Sequence, residues 1–196
     1  MQKRLFYHGM AVIVSLSLSG MALLAPTAQA AEYEIDPAHS FVQFRIQHLG
    51  FSWLYGRFNR VVGTFSYDSE QPQASQISVE IDTTSVDTNH AERDKHLREK
   101  DFLDVKQYPR AVFESTQYTG TAEQGTLEGV LTLHGVSKPI TLNIEKIGEG
   151  PDPWGGYRVG FLGSVTLTRR DFGIDYDLGP ATEKVEMELG IEGIRK

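Results

Sequence analysis

Past residue 30 the chain holds His39, His48, His90, His96 and His134, the side chains most used for proton transfer and metal binding. His90 and Asp94 stand four apart in the charged stretch TNHAERDKHLREK, residues 88–100, and so do Glu92 and His96. On a helix either pair shares one face. A metal centre needs three or four protein ligands, and the spacing supplies no third. The competing reading is a solvated helix whose acids and bases pair with one another. Asp36, His39 and Ser40 hold the three residue types of a hydrolytic triad. Packed into one short turn, each would have to reach round the others to a common point. No G-x-S-x-G elbow and no glycine-rich phosphate loop occurs. Asp171, Asp175 and Asp177 fall in RRDFGIDYD. Carboxylates on alternate residues suit calcium, but Arg169 and Arg170 would neutralise them and no closing glutamate follows. That stretch reads as an Arg–Asp hydrogen-bond cluster at the rim of a fold. The absence of cysteine excludes thiol nucleophiles, thiolate zinc sites, iron–sulfur clusters, covalent haem attachment and a lipid-modified cysteine anchor.

The remaining signal is aromatic. Phe41, Phe44, Phe51, Trp53, Tyr55, Phe58, Phe65 and Tyr67 crowd one stretch. They fit either the packed core of a barrel or the wall of an apolar cavity, since pockets for apolar ligands use the same residues. Composition does not choose between the two.

The elements that would position these groups are strands. In 185–192, Val185, Met187, Leu189 and Ile191 alternate with Glu186, Glu188, Gly190 and Glu192. This is the period of a strand with one dry face and one wet face. The pattern recurs at 76–82, 126–133 and 157–168, and further strands are expected at 41–48, 56–67, 111–118 and 140–147. Turn-forming clusters at Ser69-Glu70-Gln71-Pro72, Gly120, His134-Gly135 and Gly148-Glu149-Gly150-Pro151 separate them. Residues 88–100 alone predict a short helix, capped by Thr88 or Asn89 and anchored through Leu97, suited to covering one end of a barrel. About eight antiparallel strands fit a closed barrel, which leaves no sheet edge open.

The first residues predict the compartment. Lys3 and Arg4 precede an apolar run from Met10 to Leu24, and Ala28-Gln29-Ala30 follows it. That is the layout of a cleaved secretory signal, and the run is shorter than the ~20 residues a membrane span needs. A single domain over 31–196 in the periplasm is therefore expected, with no stable membrane insertion. From a net charge of −7, loss of Lys3 and Arg4 leaves −9. Such a balance argues against nucleic acid as partner.

The segments YEIDPAHSFVQFRIQHLG, Gly56-Arg57-Phe58, Gly63-Thr64-Phe65, HLREKDFLDVKQYPRAVFES, LTLHGVSKPITL and TRRDFGI occur in order over residues 31–196. Together they resemble the YceI-like family of exported bacterial proteins. The resemblance implies an extended, lipocalin-like antiparallel β-barrel of about eight strands with a helical segment near its mouth. It implies a long apolar channel for a polyisoprenoid or another long-chain amphiphile such as an isoprenoid quinone. It leaves His96 and Asp101–Phe102 to brace the helix and the turn after it.

The resulting expectation is a non-catalytic carrier of a long-chain isoprenoid lipid, with no cofactor and no metal, homodimerisation being left open. In 41–48 the more apolar set, Val42, Phe44, Ile46 and His48, is assigned inward. Phe58 should join from the next strand, with Trp53 near the connection. Phe113, Leu131, Val165 and Met187 complete the expected lining. Arg45, His48, Arg169 or Asp171 would meet a polar head group at the mouth. The alternatives are a lipid-modifying enzyme with His96 or His48 as base, and a metal-binding stress protein that uses the charged helix.

Overall fold

A computed structural model describes residues 30–196, so the expected signal segment lies outside the described residues except for Ala30. The strands are β1 (Ala31–Ile35), β2 (Phe41–His48), β3 (Ser52–Phe58), β4 (Val61–Tyr67), β5 (Gln76–Asp82), β6 (Val86–Asp87), β7 (Arg110–Gly120), β8 (Gln124–Leu133), β9 (Val136–Pro151), β10 (Tyr157–Thr168) and β11 (Lys184–Arg195). One helix, α1 (Ala91–Leu97), lies between β6 and β7.

These segments make a closed antiparallel barrel with eight strand positions, because three positions are each filled by two segments. β11 pairs along its length with β10, and its other edge is shared. Val185–Gly190 bonds to β2, while Gly193–Arg195 bonds to β1. β1 and β2 are thus one strand broken by a turn at Asp36. Pro37 has no N–H for a ladder, and the Asp36 carboxylate accepts from the Ala38 N–H at 2.9 Å. β3 and β4 share the next position. β4 bonds to β1 and β5, and β3 bonds to β2 and β6. The segment expected over 56–67 is therefore bent at Asn59-Arg60, where the Asn59 N–H still bonds to the Ser85 carbonyl beside β6 and the Arg60 N–H turns to the Ser85 hydroxyl. β5 and β6 fill the third divided position, and β7 to β11 are single strands in meander order.

The alternation in the sequence becomes inside and outside. On β11, Met187, Leu189 and Ile191 face the interior, and Glu186 and Glu188 bond to Arg45 and Gln43 on the outer wall. One end of the barrel carries the β10–β11 and β6–β7 connections, and the other the β4–β5 and β7–β8 turns. We call these the helix end and the turn end.

The helix end is plugged. Val42, Val86, Phe102, Leu167 and Phe172 are buried there. Charged side chains tie the plug down. Asp94 accepts from the Thr88 N–H at 2.8 Å and from its hydroxyl at 2.5 Å. Arg93 donates to Thr88, and Arg98 donates to the Thr84 carbonyl at 2.9 Å. The helix cap differs from expectation. His90 is the N-cap and accepts from the Arg93 N–H, because Thr88 is committed to Asp94. His96 braces the following turn, 3.3 Å from Asp101 and edge-on to Phe102.

Asp94→Ala should leave the buried Thr88 N–H without its acceptor. Hydrogen bonds to a charged group contribute on the order of 2 kcal/mol, and urea unfolding should show a loss of that size. Asp94→Asn should recover part of it.

Candidate functional site

Inside the barrel, towards the turn end, lies a cavity of about 140 Å³. Its wall is almost wholly hydrocarbon. β5 contributes Ile77, Val79 and Ile81, β9 contributes Ile140, Leu142 and Ile144, and β10 contributes Phe161, Val165 and Leu167. From Phe161 to Leu167, at ~3.3 Å per residue, the wall covers roughly 20 Å of strand. At the turn end the lining reaches Ser66 on β4 and Pro72, Ser75 and Ala122 on the two turns. At the helix end it stops against Leu167 of the plug.

Small residues set its width. On β8 a side chain at Gly129 would meet the Phe113 ring at 2.4 Å, so that ring occupies the space and narrows the bore. Gly163 leaves room on β10: a Cβ there would meet only Ile144, Leu142 and Leu189, at ordinary contact distances of 3.4–3.7 Å. At the turn end the rings of Phe161, Phe65 and Tyr67 meet edge-on, with centroids 5.9 Å and 5.2 Å apart. The Tyr67 and Tyr118 hydroxyls donate to the carbonyls of Ala122 and Thr121. Burial pushes both phenols above their ordinary pKa, so they stay neutral.

The residues expected to meet a ligand divide by height along the barrel. Phe113, Leu131, Val165 and Met187 line the cavity. Phe44 pairs in register with Met187 and Ile46 with Val185, so β2 has the expected inward phase. Both nevertheless sit beside the plug, outside the cavity wall. Phe44 packs against Phe58 with ring centroids 5.7 Å apart. His48 is exposed at the end of its strand. Trp53 faces outward beneath the Arg45 guanidinium, 4.4 Å from its ring centroid.

The polar groups expected at the mouth are committed elsewhere. Arg45 bonds to Glu186 at 2.8 Å on the outer wall. Arg169 is buried and donates to the carbonyls of Ile174 and Thr182, at 2.7 Å and 3.0 Å. It fastens the β10–β11 connection, which corrects the expected Arg–Asp pairing: its partners are backbone oxygens and the Thr182 hydroxyl, and Asp171 is exposed beside it. No histidine among the described residues lines the cavity.

The densest ionic cluster lies outside, where the β1–β2 break crosses β10 and β11. Arg158 bonds to Asp36 at 2.6 Å, to Asp152 at 3.0 Å and to Glu192. His39 Nδ1 lies 2.8 Å from Asp36. Asp36, His39 and Glu192 bring ligand atoms within 4.8 Å of one another. The Arg158 guanidinium already bridges the two carboxylates and supplies the positive charge a metal would bring. This cluster therefore reads as a clamp on the broken strand. The hydrogen bonds from Arg158 and His39 hold the Asp36 carboxyl far below the ordinary carboxylate range.

The comparisons agree with this architecture. A model of the YceI-like domain matches residues 33–193. A UPF0312 protein of Pseudomonas aeruginosa is 53% identical over 186 residues, covering 94% of this chain and 97% of its own. The Campylobacter jejuni YCEI protein superposes with a TM-score of 0.68 at 29% identity, over 77% of this chain and 90% of its own. A Saccharophagus degradans domain, described as polyisoprenoid binding, superposes with a TM-score of 0.64 at 17% identity, over 85% of this chain and 99% of its own. The chain belongs to the YceI-like family.

The clamp gives a pH prediction. A carboxyl with a depressed folded-state pKa adds stability above its unfolded value of about 4, and that stability is lost as pH falls further. Wild type should exceed Arg158→Met in urea-unfolding stability at pH 7 and pH 5, and the gap should narrow by pH 3.

Proposed function

We propose that this YceI-like protein is an exported carrier that holds the chain of a polyisoprenoid or similar long-chain amphiphile inside its barrel. The observation that carries this reading is the cavity wall, an almost wholly hydrocarbon surface whose lining holds no carboxylate, amine, guanidinium or imidazole, its two phenols being kept neutral by burial. Burying an apolar chain there would be driven by about 25 cal/mol per Å² of apolar area removed from water. Such a wall grips by area and shape, so it tolerates chains of different length and branching. Its lining offers a bound chain no carboxylate, histidine or lysine, and its phenols are held by the Ala122 and Thr121 carbonyls, which supports binding over turnover. The description of the Saccharophagus degradans relative as polyisoprenoid binding supports the same ligand class.

Export rests on Lys3, Arg4, the apolar run and Ala28-Gln29-Ala30. N-terminal sequencing of the periplasmic fraction should read from Ala31. The full-length chain recovered from the inner membrane would reverse the assignment.

The carrier reading is tested by organic extraction of the purified protein followed by mass spectrometry, which should yield a long-chain isoprenoid lipid. Gly163→Leu should then fill the cavity from within, since a Cβ at this position meets no close backbone. The variant should keep the wild-type circular dichroism spectrum and lose at least about tenfold of the bound lipid. A folded variant with undiminished lipid would place the ligand elsewhere.

A further inference from the structure

The inward face of β9 reads Ile140, Leu142, Ile144 and then Lys146. The first three line the cavity. Lys146 keeps their phase, since its register partner on β10 is the cavity residue Phe161. An amine thus follows the hydrocarbon of this face just past the cavity lining, beside a bulge in the β9–β10 register beyond which Glu149 pairs with the buried Val159. Its side chain is only 15% exposed. The Nζ lies 3.3 Å from the Glu149 carboxylate and 5.9 Å from the centroid of the Tyr67 ring. Burial disfavours the ammonium, but the hydrogen bonds to Glu149 and Tyr67 outweigh it and hold the pKa above the ordinary lysine value. The amine is therefore charged at neutral pH, and with Glu149 and Tyr67 engaged one of its three N–H donors is left.

Apart from Glu149 and the Tyr67 ring, the packing of this layer is apolar. The neighbouring inward positions carry Phe65, Tyr67, Tyr118 and Phe161, and keeping a charge among them costs desolvation. The helix end of the cavity has no counterpart, for Ile81, Leu167 and Met187 are apolar and Arg169 is committed to backbone carbonyls.

We propose that the turn end of the barrel is the head-group subsite. Lys146 is its specificity-determining donor, to an electron-rich oxygen, carbonyl or phosphate, at the end of the chain held in the cavity. This rests on the carrier reading. The tail then runs from Lys146 towards the plug, and Glu149 moderates the positive charge the head group meets.

The test uses delipidated protein and three probes in one detergent: squalene, a prenylated benzoquinone and a prenyl diphosphate, with affinities from titration calorimetry. Lys146→Met should weaken at least one headed probe by about tenfold or more, the worth of a hydrogen bond to a charged group. Squalene should change less than about twofold on the same scale. A loss confined to the diphosphate and reduced by salt identifies phosphate, and a salt-insensitive loss for the benzoquinone identifies carbonyl. Glu149→Gln removes the competing carboxylate and should tighten the same headed probe, which keeps the test open if Lys146→Met folds poorly. Equal losses for all three probes in Lys146→Met, no loss for any, or weaker headed binding in Glu149→Gln would overturn the subsite alone. Wild-type protein that binds none of the probes would overturn the carrier reading and the subsite with it.

Discussion

Closure of the hydrogen-bond ladder at β11 is the constraint on which the rest of the structure depends. That one strand bonds to β10 on one edge and to both β2 and β1 on the other. An open sheet of these lengths would leave backbone donors and acceptors exposed and its apolar face wet. Once the ladder closes, every inward side chain faces others across the bore. The cavity is then the space that side chains of the chosen size fail to fill, at the count of strands where a barrel interior can be filled or can hold one small ligand. The Arg158 clamp belongs to the same constraint. It sits where the strand is broken, and holds β1, β10 and β11 together across the gap in the ladder.

The two ends of the barrel are built from different chemistry. At the helix end, the buried Arg169, the half-buried Arg93 and Arg98, and Asp94 satisfy backbone groups of irregular segments, which could not otherwise be buried. At the turn end, tight turns leave few orphan groups, and aromatic rings with neutral phenols frame the bore. A plugged bottom and a ringed mouth give the cavity a direction. A symmetric barrel would have none, and a bound chain would have no reason to prefer one orientation.

Period-two alternation made the barrel legible. In 185–192 it assigned each residue to the correct wall, and in 41–48 it assigned the correct phase to β2. Alternation specifies the side of the sheet and carries no information about height along the barrel axis. Phe113, Leu131, Val165 and Met187 therefore fell in the cavity wall, while Phe44, Ile46 and Phe58, with the same phase, fell beside the plug. Height is set by register between strands far apart in sequence and by the bend at Asn59-Arg60, which leaves no mark in the alternation. Thr88 reads as a helix cap because its preference is local, and its tie to Asp94 is a tertiary choice. Lys146 is hidden in the sequence for a related reason: a lysine near the end of a strand reads as outward until its register with Phe161 is known.

The pairing of Tyr33 with Arg195 also has a consequence in time. The residues that close the barrel lie at opposite ends of the described chain, so the closing contacts are about as non-local as the molecule allows, and such topologies pay loop-closure entropy before their contacts reward it. A chain emerging from the ribosome or through a membrane pore can form the meander from β7 onward. It has no enclosed interior until β11 arrives and finds both β1 and β2. Any molecule held in that interior must be acquired after the last strand is made, by a finished protein or during the closing step itself.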